Sequence, residues 1–154
     1  SSSQRDAYSA LDRFLISIDD KFNTEDYIRT EVDRGKGYTS IYYGYYINGF
    51  NTNIGYRAAI EDNKLVYVSK QGSYDDIDDD ILNKTVVVTE KIENEAKELA
   101  VKYLPGEYTV MEQSIRKEII NSKYCLVVST IYVEGNVIGG IYSEGNVSEY
   151  IYEL

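Results

Sequence analysis

The sequence predicts an α+β fold of two tandem repeats, each one helix packed on an antiparallel sheet of about four strands. Two apolar stripes with helical spacing carry this reading, the second opening at Ile92, 85 positions after the first opens at Ala7. Each stripe is followed by segments that alternate apolar and polar residues and are joined by pairs that favour tight turns.

The first stripe is Ala7, Leu11, Phe14, Leu15 and Ile18, which fall on one face of a helix. After it, Asp26 to Asp33 alternates with Ile28, Thr30 and Val32 on one side, and Gly35-Lys36-Gly37 turns the chain into Tyr38 to Ile47. Asn48-Gly49 is a strong hairpin signal. Ile54 to Glu61 and Leu65 to Lys70 flank an Asp62-Asn63 turn and complete a meander. A short strand, Thr85 to Thr89, is expected before the second stripe, Ile92, Ala96, Leu99, Ala100 and Tyr103. Thr89 suits the N-cap, Glu90 the first turn, and Pro105-Gly106 the stop. Four strands then follow at Glu107 to Ile119, Lys123 to Val133, Val137 to Ser143 and Val147 to Tyr152.

A sheet that is apolar on one face needs a cover, and one amphipathic helix per sheet supplies it. The expected division is therefore residues 1–72 for the first repeat, 73–88 for an acidic linker with a short strand, and 89–154 for the second repeat. Halves of about 75 to 85 residues are near the lower size for independent folding, so they are expected to pack together.

Composition excludes several kinds of chemistry. The 154 residues contain no histidine, which removes a Ser-His-Asp triad, a Cys-His dyad, an HExxH zinc site and an imidazole acid or base. A single cysteine, Cys125, excludes an intrachain disulfide, a CxxC pair and a cysteine-based zinc site; in its apolar run it reads as a small buried hydrophobe. A pair of carboxylates as in glycosidases survives, but 26 acidic residues make any chosen pair uninformative. The chain is read as non-catalytic, without cofactor or metal.

The net charge of −10, with no basic stripe, argues against nucleic acid and against an anionic membrane surface. No run approaches the roughly 18 apolar residues that span a bilayer, so no membrane insertion by this segment is expected. Richness in Ile, Asn, Lys and Tyr suits an AT-rich bacterial genome. The opening Ser1-Ser2-Ser3 suits the tether after a signal peptide or lipid-anchored cysteine, or equally a cloning remnant.

With the repeat drawn, Tyr45 to Asp76, YYINGFNTNIGYRAAIEDNKLVYVSKQGSYDD, resembles the strand portion of PepSY-like domains and of the fungalysin/thermolysin-type propeptide. The pattern rests on Tyr46, Asn48, Gly49, Phe50, Ile54 to Ile60 and Leu65 to Ser69. Thr89 to Tyr108 is similar to the PepSY opening helix at Glu95, Ala96, Leu99, Ala100, Tyr103 and Leu104. Tyr45 and Tyr46 replace the propeptide's polar residues before the NG turn, and no peptidase domain is expected to follow. The resemblance implies a tandem pair of cystatin-like modules in a Gram-positive-like bacterium, secreted or lipid-anchored at the cell envelope. It also implies binding or inhibition of a peptidase, and brings no catalytic residues.

The candidate binding residues are Tyr38, Tyr42, Tyr43, Tyr45, Tyr46 and Phe50, beside the NG turn. Strand alternation puts Tyr38, Tyr42 and Tyr46 on one side and Tyr43 and Tyr45 on the other. One side faces the helix; the other either presents an aromatic platform or packs within the protein. Gly44 between them marks a bulge or a close backbone approach. Asp75 to Asp80 fails as an EF-hand, because Ile81 and Val87 stand where glycine and a bidentate glutamate are needed, and reads as a solvated linker. The ten-residue repeat of Val133 to Tyr142 and Ser143 to Tyr152 reads as two similar hairpin turns. The expected function is a binding module for a protein, through a sheet face or edge. The alternatives are a carbohydrate or cell-wall binding module, and a cytoplasmic acidic antagonist such as a toxin-immunity protein.

Overall fold

The computed structural model describes residues 2–135 and 145–154, with side chains of the first helix from Ala7 onward. The chain divides into two compact units, Ser1–Leu82 and Asn83–Leu154.

In the first unit, α1 (Ser2–Ile18) has no acidic residue in its first turn and no basic residue in its last. Packing holds it: Ala7, Leu11 and Leu15 are buried with Phe22, Tyr27, Ile41, Tyr43, Tyr56, Ala58 and Ile60. Phe14 and Ile18, expected on the same stripe, are 41% and 55% exposed, because the buried face follows the i, i+4, i+8 row and leaves its flanks to solvent. A 3-10 turn (Thr24–Asp26) leads into β1 (Tyr27–Gly35), β2 (Tyr38–Ile47), β3 (Phe50–Glu61) and β4 (Lys64–Gln71). These pair antiparallel in the order β1-β2-β3-β4. The three turns between them use left-handed residues: Gly35, Lys36 and Gly37 at the first, Asn48 and Gly49 at the second, Asp62 and Asn63 at the third.

The pairing of β2 with β3 contains an irregularity. Between the Gly44–Gly55 and Tyr46–Asn51 partners, β3 spends four positions against two on β2. Asn53 there is left-handed at φ +61°. Thr52 Oγ1 donates to the Tyr45 carbonyl at 2.7 Å and accepts from the Ile54 amide at 3.2 Å, so the displaced backbone is satisfied locally. The acidic stretch forms a 3-10 turn (Tyr74–Asp76), closed by a Ser73–Asp76 capping box, and a short α2 (Asp79–Asn83) that buries Ile81.

In the second unit, α3 (Glu90–Lys102) begins at Thr89, whose Oγ1 accepts from the Ile92 amide at 3.3 Å. Ala96 and Ala100 are its buried residues, small enough to bring the helix close to β5 (Tyr108–Ile120), β6 (Lys123–Glu134) and β7 (Asn146–Glu153). Those strands pair antiparallel in that order. Gln113 donates its amide to the Lys97 carbonyl and to Thr130 Oγ1, both at 3.1 Å, which satisfies the buried threonine. Tyr103 is 72% exposed rather than on the buried stripe, and stacks on Tyr150 with ring centroids 5.3 Å apart. Cys125 is buried, and burial pushes its thiol up.

The predicted fold class of two tandem helix-on-sheet repeats is therefore corrected. The chain is mostly sheet, 52% strand against 26% helix, with seven strands and few helices among the described residues. The strands are the reason: β3 and β6 run to 12 residues and β5 to 13, so backbone pairing organises most of the chain. Residues 85–89 form no strand, since Thr89 is committed to capping α3. The second unit supplies three described strands instead of four. The strand expected at 137–143, and residues 136–144 of the ten-residue repeat, lie outside the described residues. No helix among the described residues is long and apolar enough to cross a membrane.

Candidate functional site

Strand β2 sorts the candidate tyrosines by alternation. Ile41 and Tyr43 join the core below α1, with Tyr45 packed against it. Tyr43 donates to Asp12 Oδ1 at 2.5 Å, and burial, reinforced by that carboxylate, pushes its phenol well above the usual range. Tyr45 packs on the rings of Tyr27 and Tyr74 at 5.5 and 4.9 Å. Phe50 is only 1% exposed. Tyr43, Tyr45 and Phe50 are thus framework rather than contact surface.

A second phenol–carboxylate tie lies beside the first. Tyr56 donates to Asp19 Oδ2, whose partner oxygen accepts from the Lys21 amide at 3.0 Å, with Lys70 Nζ 3.7 Å away. Burial acts to raise the Asp19 carboxyl, and these donors and the lysine charge outweigh it, leaving the group below the usual carboxylate range. Tyr27 and Tyr74, by contrast, bury hydroxyls without a hydrogen-bond partner. Burial, with the Asp19 and Asp26 charges, pushes Tyr74 up to about 12. Replacing either tyrosine with phenylalanine is expected to leave stability unchanged or raise it by up to about 1 kcal/mol, read from denaturant midpoints. A loss of that size instead would show that the hydroxyls are bonded.

The other side of β2 carries Tyr38, Ser40, Tyr42 and Tyr46. A Cβ placed on Gly44 would meet the ring edges of Tyr42 at 3.0 Å and Tyr46 at 3.2 Å, so the two rings close over the glycine from either side. The register sets Thr30 and Arg57 opposite Tyr42, and Val32 and Ala59 opposite Ser40. Tyr67 stands opposite Ala59 on β4. Apart from Tyr46, these side chains line a pocket of about 420 Å³ on the face away from α1. Ile28, Val32 and Tyr67 on this side are 46% to 54% exposed.

Two arginines complete the face. The Arg57 guanidinium lies 5.8 Å from the centre of the Tyr42 ring, within cation–π range. Arg34 Nε is 3.4 Å from Ser40 Oγ. Of the four strand arginines, Arg29 pairs with Glu31 and Arg116 with Glu118 and Glu149. Among the described residues, Arg34 and Arg57 have no carboxylate at ion-pair distance.

Strand alternation alone marks Tyr38, Tyr42 and Tyr46 as one side. It misses Arg34, Val32, Arg57 and Tyr67, which join them only through the register of four strands. The signals were present: an Asn48-Gly49 hairpin centred on the turn brings Ile47 opposite Phe50. The irregularity at Gly44 then breaks the simple count that would carry this pairing on to Arg57. Among the described residues no group of three or more Cys, Asp or Glu side chains is gathered as a metal set. Compared with known proteins, the chain matches no family model, no curated protein and no solved structure.

Proposed function

We propose that this chain is a binding module, and that its contact surface is the side of the first unit's sheet carrying Tyr38, Tyr42 and Tyr46. The observation that carries the reading is the pocket on that face. It is lined by tyrosine rings, aliphatic residues and two arginines that have no carboxylate partner among the described residues, all mounted on paired strands. Aromatic rings on a rigid sheet give large contact area at little entropic cost, and a polar tip orients what they touch. The ligand is a segment of another protein; the resemblance to PepSY-like and propeptide strands points to a peptidase as its source. Recognition rather than bond chemistry is the reading that a chain without histidine supports.

The test is selection of a displayed random peptide library on the chain, followed by affinity measurement and by assays of cleavage by a panel of secreted bacterial peptidases. Tyr42→Ala is expected to weaken selected ligands at least about tenfold. Gly44→Ala, which presses on the Tyr42 and Tyr46 rings without a backbone clash, is expected to weaken them several-fold. Ile151→Thr, on β7 of the other unit, is expected to leave affinity unchanged. Recovery of no ligand, or ligands indifferent to Tyr42→Ala, overturns the reading; ligands that bind while every peptidase is unaffected remove the peptidase version alone.

A further inference from the structure

We infer that the ligand of this face is an extended, acidic peptide segment with carboxylates on alternate residues, held by Arg34 and Arg57. The inference rests on the binding reading above and adds the chemistry of the ligand. Ser40 and Tyr42 are two positions apart on β2, and each has one guanidinium at it: Arg34 against Ser40 from the β1 side, Arg57 over Tyr42 from the β3 side. Two positions of a strand span about 7 Å, the spacing between same-side residues of any extended peptide. A ligand strand laid along β2 would bring carboxylates at i and i+2 to Ser40 and Tyr42, where Arg34 and Arg57 reach in, while the residue between them points away.

The charge pattern favours this occupant. A chain of net charge −10 has acidic side chains in excess, and the strand arginines elsewhere are paired with them. Among the described residues Arg34 and Arg57 are left without carboxylates, on a face that also exposes Val32 and Tyr67. Glu61, opposite Tyr38, is the carboxylate that the register puts on this side, and it bonds neither arginine. A charge-assisted bond to guanidinium is worth roughly twice a neutral one, and an outside carboxylate supplies it. The aliphatic floor of Val32 and Ala59 suits an apolar neighbour in the same segment, which selects a peptide over a sugar acid. Two cations are too few to hold a nucleic-acid backbone against the charge of the whole chain.

The experiment compares two pools of randomised, terminally blocked hexapeptides, one with glutamate at its second and fourth positions and one with glutamine there, by fluorescence polarisation with the intact chain. The glutamate pool is expected to bind about tenfold or more tightly, with the advantage shrinking as salt is raised. Arg34→Gln together with Arg57→Gln is expected to erase the difference without lowering thermal stability, since both side chains are exposed. Equal binding of the pools, both still lost in Tyr42→Ala, overturns the acidic-peptide inference and leaves the binding reading standing. Binding of neither pool, with binding of uronate-bearing glycans that Tyr42→Ala abolishes, overturns the inference and the protein-ligand reading together.

Discussion

Gly55→Ala is expected to lower the stability of the fold by about 3 kcal/mol or more, the largest effect of any single methyl group added to this sheet. Gly55 is buried in β3, opposite Gly44 on β2 and Gln71 on β4. A Cβ there would lie 1.9 Å from the Tyr43 carbonyl oxygen and 3.3 Å from the Gly44 Cα. Both are backbone atoms held by strand pairing, so relief requires moving β2 rather than turning a side chain. Gly44 is the internal comparison, because its added Cβ meets only ring edges. With total stabilities of about 5–15 kcal/mol for domains of this kind, the Gly55 substitution removes a large fraction. Denaturant unfolding at unchanged slope reads the loss. A change under about 1 kcal/mol would mean that the β2–β3 pair opens at little cost.

The same geometry connects stability to the candidate site. Gly55 ends the stretch in which β3 spends its extra residues, and Asn53 takes the left-handed backbone that the detour requires. That detour is what lets Tyr46 stay beside Gly44 while the hairpin closes at Asn48-Gly49. Irregular pairing of this sort re-aims side chains, and here it gathers two tyrosines over one glycine. The methyl group at Gly55 is therefore expected to disturb the tyrosine face even in molecules that remain folded.

What could be read from the sequence followed from local rules. Alternation along Tyr38 to Ile47 sorts the tyrosines between two sides, and the turn residues at 48–49 and 62–63 mark where strands reverse. Thr89 caps α3 because its hydroxyl sits three residues before a free amide. The fold class failed because helical stripes announce helices but not how much of the chain they organise. β3 is also longer than alternation predicts, because Asn51 to Asn53 have the composition of a loop and are held in the strand by Thr52. The arginines of the site were invisible for a different reason. Arg34 and Arg57 are separated by 23 positions and meet through the register of β1, β2 and β3, a long-range property that no window of sequence contains.

Leu11→Ala is expected to cost about 3 kcal/mol, within the range for a leucine with no solvent exposure. Such a substitution loses the transfer free energy of the removed carbons and leaves a void in the core cluster that Leu11 shares with Phe22, Tyr43 and Tyr56, which relaxation fills only in part. Nothing at the ends of α1 offsets the loss, since the helix has neither acidic residues at its start nor basic ones at its end. Helices of this length hold little structure in water by themselves, so the packed row of Ala7, Leu11 and Leu15 is what keeps it in place. Phe14→Ala, on the exposed flank, is expected to cost under about 1 kcal/mol. Hydrogen exchange separates the two: Leu11→Ala should speed exchange along α1, and Phe14→Ala should not. Equal effects would show that the helix is held by its whole circumference. Because Asp12, the next residue, accepts the bond from Tyr43, loosening α1 also frees the inward side of β2. Ligand affinity measured below the lowered midpoint should nonetheless be retained, since Tyr42, Arg34 and Arg57 are fixed by strand pairing on the side away from the helix.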